Sequence, residues 1–185
     1  MSVNEELEIL KDIAVRLNGA GIEYMMTGSM AMALYSNPRM TRDIDVIVQV
    51  TPAETGKIVA LFGKDFYIDE AVVRQAIRDR GMFNIIHNAS VVKVDFIIRK
   101  DEAYRIEEFS RKRKIFIEGV PVSVVAPEDL ILSKLVWAKN SGSEFQFHDV
   151  RQMIAVLEDL DNEYLLKWSK LLGVEDLVKR AKSHE

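Results

Sequence analysis

The chain has no cysteine among its 185 residues. Disulfides and thiolate metal sites are therefore excluded. Histidine is scarce, at three, and neither His87 nor His148 has metal-ligand spacing. No apolar run is long enough to span a bilayer. The opening Met1-Ser2-Val3-Asn4-Glu5-Glu6 lacks the basic start and apolar stretch of a signal peptide. A cytoplasmic protein without membrane association is the expectation. Neither sign of charge dominates: 25 Lys and Arg against 29 Asp and Glu leave a net charge of −4. A strongly acidic or basic partner is not implied, and nucleic-acid binding would need a local basic patch. The chain shows no internal repeat and no low-complexity tract.

What is present suffices for a packed core, since 48% of the residues are hydrophobic. Leu7, Leu10, Ile13, Ala14 and Leu17 recur at helical spacing, and Gly19 and Gly21 stop that helix. Ile22 to Thr27 reads as a strand and Ser29 to Tyr35 as a helix. Asn37 to Arg42 is a loop around Pro38. Asp43 to Val50 reads as a strand, and Thr51-Pro52-Ala53-Glu54 as a capped helix start. Helical pieces follow to about Phe62 and over Glu70 to Arg78. Met82 to His87 and Ser90 to Ile98 form an antiparallel pair. Ala103 to Ser110 is helical, and Lys114 to Ile117 with Val120 to Val125 make a further hairpin. From Pro127 onward only helices are expected, over Pro127 to Lys139, His148 to Leu160 and shorter pieces ending near Lys182.

Chemistry concentrates in a few residues. Side chains alternate along a strand, so Asp43 and Asp45 project from one face, shared with Ile47 and Gln49. Asp is disfavoured within strands, and like charges held close repel unless a cation sits between them. Asp95 is a lone acid in the apolar strand Val94-Asp95-Phe96-Ile97-Ile98. Three carboxylates on neighbouring strands suit a hard divalent cation with open positions, and phosphoryl or nucleotidyl transfer. The alternative is a solvated strand face shared with Lys93 and Arg99. Gly28 permits a tight turn and close approach of a phosphate, and Ser29 opens a helix whose free N–H groups favour an anion. The alternative there is a simple helix cap.

Other residues divide the same way. Arg39 and Arg42 flank the acid pair, either to contact phosphate or to offset its charge. Arg111-Lys112-Arg113-Lys114 reads as a solvated face, with nucleic-acid contact the alternative, and Arg74, Arg78 and Arg80 as an extension of a basic surface. Trp137 and Trp168 are expected to pack helices, and Tyr24, Met25 and Met26 to lie in the core.

At Gly28-Ser29, Asp43-x-Asp45 and Asp95 the chain resembles the nucleotidyltransferase superfamily related to DNA polymerase beta. The run Gly28-Ser29-Met30-Ala31-Met32-Ala33-Leu34-Tyr35, followed by Arg39 to Asp45, is similar to a small prokaryotic branch that includes AbiEii-type toxins. The resemblance covers roughly residues 28–149. It implies an α/β (α+β) fold with a mixed sheet flanked by helices over residues 1–126, then a small helical subdomain over 127–185. It implies Mg²⁺ or Mn²⁺ held by Asp43, Asp45 and Asp95, with Asp95 also helping to deprotonate the attacking hydroxyl. Gly28 and Ser29 would cradle the outer phosphates of a nucleoside triphosphate such as ATP, with Arg42 beside them. Lys134 would reach the triphosphate, and Asp149 would hold Lys134 or an acceptor group. The acceptor is left open: a tRNA end, a small molecule or a protein. An antitoxin or a second copy of the chain is a possible partner. The alternative function is a non-catalytic nucleotide-binding or toxin–antitoxin interaction module on the same fold.

Overall fold

A computed structural model describes residues 3–36 and 43–183. The elements run α1 (Val3–Ala20), β1 (Glu23–Thr27), α2 (Gly28–Met32), β2 (Asp43–Gln49), α3 (Thr55–Phe62), β3 (Phe66–Tyr67), α4 (Glu70–Asp79), β4 (Met82–His87) and β5 (Lys93–Ile98). Then come α5 (Ala103–Ser110), β6 (Arg113–Ile117), β7 (Val120–Val124), α6 (Pro127–Ser141), α7 (Glu144–Val156), α8 (Asn162–Leu172) and α9 (Glu175–Lys182). The strands form one seven-stranded sheet in the order β3-β4-β5-β2-β1-β7-β6. Two neighbouring pairs are parallel, β2 with β5 and β1 with β7, and the others are antiparallel. The sheet is therefore mixed and flanked by helices, as expected.

The alternation of β2 explains how the sheet is used. Ile44, Val46 and Val48 are buried on one face. They align in register with Val94, Phe96 and Ile98 of β5. Phe96 packs on Phe62 of α3 at 5.4 Å and on Phe83 of β4 at 5.1 Å between ring centroids. Burying aromatic and branched side chains in this way supplies the main stabilisation of the sheet. Arg16 of α1 donates to the Leu61 carbonyl of α3 at 2.7 Å. Helices α1 and α3 thus sit together behind this face. The opposite face carries the acids and looks toward α5 and α6.

Several elements depart from the sequence reading for identifiable reasons. Helix α2 is only five residues long. Beyond Met32 the amides of Leu34 and Tyr35 turn back to the carbonyls of Ala31 and Met32, and this tightens the end into turns. The two-residue β3 carries no periodicity to read. Helix α7 begins at Glu144, not His148. The helix start after β2 matches its reading, with the Thr51 amide donating to Glu54 Oε2 at 2.9 Å.

The basic run Arg111–Lys114 is not simply a solvated face. Arg111 Nε donates to the fully buried Asp129 at 3.0 Å, and Arg111 Nη2 to the buried Glu128 at 3.2 Å. Tyr164 of α8 donates to Asp129 Oδ1 at 2.6 Å, and the Arg111 guanidinium lies 3.7 Å from its ring centroid. Burial is the largest influence on Tyr164, followed by this carboxylate, and both push its hydroxyl well above the usual phenol range. This knot ties the end of α5 to α6 and α8. Among the described residues, no helix is long and apolar enough to cross a membrane.

Candidate active site

Parallel pairing brings the acids together. Asp45 on β2 stands directly beside Asp95 on β5, and Asp43 beside Lys93. Asp43 is exposed, Asp45 half-buried and Asp95 buried. On the other side of β2, Thr27 at the end of β1 is the register partner of Asp45. Gly28 follows at φ +67, the left-handed region that favours glycine. A Cβ added there would lie 1.9 Å from Asp45 Oδ2. The turn is therefore pressed against the carboxylate, and only glycine fits. Ser29 lines the same cleft. Arg39 and Arg42 lie outside the described residues.

Lys93, read from sequence only as a neighbour on an open face, enters the acid cluster. Its Nζ lies 2.9 Å from Asp95 Oδ2 and 3.5 Å from Asp43 Oδ2. The hydrogen bond to Asp95 is the main reason its ammonium is held above the usual lysine range. Asp95 Oδ1 is buried and has no hydrogen-bond partner. A buried carboxylate oxygen left in that state is costly. Among the described residues, no three acidic or histidine side chains already close on one point. Lys93 stands between Asp43 and Asp95 instead. The donor chemistry still fits a hard divalent cation: three carboxylates, one with an unpartnered oxygen, and mutual repulsion to relieve.

Asp45 registers that repulsion. Burial first, then the charges of Asp95 and Asp43, push its carboxyl up to about 6. The folded state thus holds this proton more tightly than the unfolded chain does. Asp45 favours folding most at about pH 4 and below, and that contribution is lost as pH rises toward 6. Asp45→Asn should therefore melt higher than the wild type near pH 8, with the difference closing near pH 4. Thermal melts of both proteins across this range check it; a pH-independent gap would contradict it.

The cleft has a volume of about 790 Å³ and reaches from the acids across to α5 and α6. Its far wall holds a group that sequence reasoning missed. Ser133 Oγ donates to Glu108 Oε1 at 2.6 Å, and Arg105 Nη1 donates to Glu108 Oε2 at 2.8 Å and to Ser133 Oγ at 2.7 Å. Burial is the chief influence on Glu108 and raises its carboxyl above the usual range. The spacing of Arg105 and Glu108 on one helix was visible in the sequence. Their placement in the cleft was not.

Lys134 and Asp149 meet. Lys134 Nζ lies 2.7 Å from Asp149 Oδ2 and 2.9 Å from Gln146 Oε1. Both ions are buried, and Lys134 also lines the cleft. Its charge is near enough to Asp45 to oppose the upward push on that carboxyl. Lys134→Met strands Asp149 in the interior and should cost about 3–5 kcal/mol of stability. Adding Asp149→Leu should restore most of it, as chemical denaturation of the two variants would show.

Trp137 corrects the sequence reading. Trp168 does pack between helices, 5.1 Å from the Tyr104 ring. Trp137 instead lines the cleft and is 61% exposed.

No protein-family model and no curated protein sequence matches the chain. Solved structures do match in fold. An antigenic nucleotidyltransferase-like protein from Paracoccidioides brasiliensis superposes with TM-score 0.61 at 16% identity, over 98% of this chain and 93% of that one. The antibiotic-resistance factor ANT(2'')-Ia superposes with TM-score 0.60 at 16% identity, over 97% of this chain and 100% of that one. The lincosamide antibiotic adenylyltransferase LnuA, in its lincomycin-bound structure, gives TM-score 0.53 at 12% identity, over 85% and 99% of the two chains. The mixed sheet and its flanking helices are thus those of the nucleotidyltransferase fold.

Proposed function

We propose that the chain transfers a nucleoside monophosphate from a nucleoside triphosphate to a hydroxyl group. One observation carries this reading: Asp45 and Asp95 are register partners on parallel strands, with Gly28 packed against Asp45 at the head of a large cleft. Such a glycine lets a phosphate come close to the main chain beside the carboxylates. The fold shared with ANT(2'')-Ia and LnuA adds support.

Asp43, Asp45 and Asp95 would hold Mg²⁺ or Mn²⁺. When bound, the cation supplies neutralisation of developing charge and Lewis acidity toward phosphoryl oxygen. The residues of the chain do the rest. Gly28 and Ser29 orient the outer phosphates, with Lys134 as a cation on the opposite wall. Asp95 accepts the proton of the attacking hydroxyl. The new bond joins that oxygen to the α-phosphorus, the bond from the α-phosphorus to the bridging oxygen breaks, and pyrophosphate leaves. Positioning and electrostatics account for most of the rate in such chemistry.

A small hydroxyl-bearing molecule is the acceptor class we favour, because the cleft is bordered by α6 and has a polar Arg105–Glu108–Ser133 wall. Structures of related fold carry adenylyl-2''-tobramycin and lincomycin. Within the superfamily related to DNA polymerase beta, the run Gly28 to Tyr35 followed by Arg39 to Asp45 supports the branch with AbiEii-type toxins, while the pair Gly28-Ser29 itself has the general superfamily form. Growth arrest on expression, lost with Asp95→Ala, would support that placement; harmless expression would count against it.

The test of the transferase reading is pyrophosphate release from nucleoside triphosphates with Mg²⁺ or Mn²⁺ across a panel of hydroxyl acceptors. Wild type should turn over, and Asp43→Ala/Asp45→Ala should not. Mn²⁺ should also raise the melting temperature of the wild type and not of the double variant. Identical behaviour of the two proteins in both assays would overturn the reading.

A further inference from the structure

The indole of Trp137 is mostly left outside the core. It stands 61% exposed on the cleft wall, whereas Trp168 is 8% exposed within the core. Among the described residues no ring contact or hydrogen bond engages its side chain. A large aromatic surface left mostly wet in this way gives the fold little burial energy.

Its place on α6 gives it a context. Trp137 lies three residues beyond Lys134, so the two share a helix face one turn apart. Asn140 follows three residues further on and also lines the cleft. Along α6 from Lys134, whose charge acts on Asp45, the cleft wall therefore presents a cation, an aromatic plane and a side-chain amide in succession. A nucleotide has the same order of chemistry: polyphosphate, then a planar ring, then a polar ring edge.

We propose that Trp137 is the stacking platform for the nucleobase of the bound nucleotide, with Asn140 at the edge of the base. This rests on the nucleotidyl-transfer reading above. Stacking on an indole is available to every base, because each has a π-face. The chain should consequently discriminate weakly among bases, with ATP and GTP bound within several-fold of one another and pyrimidine nucleotides more weakly. A docking patch for a protein is the competing use of an exposed indole. The position of Trp137 inside the cleft wall, with Lys134 beside it, favours the nucleotide.

The probe is α,β-methylene-ATP with Mg²⁺, which binds without transfer, measured by calorimetry and by tryptophan emission on the full chain. Trp168→Phe, which retains Trp137, should show a saturable change in emission; Trp137→Phe should show none. Trp137→Ala should weaken binding by about 5- to 100-fold, and Trp137→Tyr should keep most of the affinity. Inorganic tripolyphosphate should bind wild type and Trp137→Ala equally. Unaltered melting of Trp137→Ala excludes a folding defect. Wild-type affinity of Trp137→Ala for the analogue would overturn the proposal while leaving nucleotide transfer intact. Failure of the wild type to bind the analogue would remove the transferase reading, and this inference with it.

Discussion

Asp95→Asn should reduce the proposed nucleotidyl transfer by at least about 10³-fold while leaving the fold in place. The amide has nearly the same shape, so Val94 and Phe96 keep their packing behind the sheet. What is lost is the negative charge. Asn cannot ligate a divalent cation as a carboxylate does, and it cannot accept the proton of an attacking hydroxyl. Metal-assisted charge stabilisation amounts to several kcal/mol, and each 1.36 kcal/mol is a factor of ten in rate. The structural cost should be small. Lys93, whose side chain is 37% exposed, can still donate to the amide oxygen, so the pair loses its charge but not its hydrogen bond. Assay and melting temperature together give the answer. A variant that melts like wild type and also turns over like wild type would remove Asp95 from the chemistry.

Gly28→Ala should damage both stability and activity, through two separable causes. The backbone at φ +67 costs a side-chain-bearing residue about 1–2 kcal/mol. The new methyl would also stand 1.9 Å from Asp45 Oδ2 and 2.7 Å from its Cγ, so the carboxylate must rotate away. The first cause lowers the melting temperature by a few degrees in a chain of this length. The second should cost about 10²-fold or more in turnover, because an ångström of misplacement at reacting groups has that effect. Gly119→Ala separates the two. Gly119 sits at φ +85 in the β6–β7 turn with nothing within 4 Å of an added Cβ. It should lose stability to a similar degree and keep full activity. Equal activity losses in both variants would refute the steric argument.

The acids were legible in the sequence because strand alternation assigns a face without any knowledge of tertiary packing. The same rule placed Ile44, Val46 and Val48 opposite them. The tight turn at Gly28 was legible too, though its contact with Asp45 depends on β1 pairing with β2. The Lys134–Asp149 pair was stated as an expectation from resemblance alone. Its geometry depends on the packing of α6 against α7, because the two residues lie 15 apart along the chain. What stayed hidden depends on side-chain direction at long range. Alternation puts Lys93 on the acid face but does not bend its ammonium between Asp43 and Asp95. The run Arg111–Lys114 has the look of a solvated stretch until Asp129 and Tyr164 are seen to close around Arg111. Trp137 failed for the opposite reason. Hydrophobicity is a poor guide to burial when a cleft opens beside a helix.

The pairing of β2 with β5 has a consequence for how changeable the chain is. The two strands lie side by side without being neighbours in sequence, and the intervening α3, β3, α4 and β4 carry the chain from one to the other. Extra residues at the exposed tip between β4 and β5 leave the parity of β5 untouched and should be tolerated. A single residue gained or lost inside β5 reverses it, aiming Asp95 at the Phe62–Phe83 cluster and offering Val94 or Phe96 to solvent. The placement of the carboxylates in this molecule is thus encoded as odd against even, and drift by indels can remodel its loops far more freely than the short strand that bears Asp95.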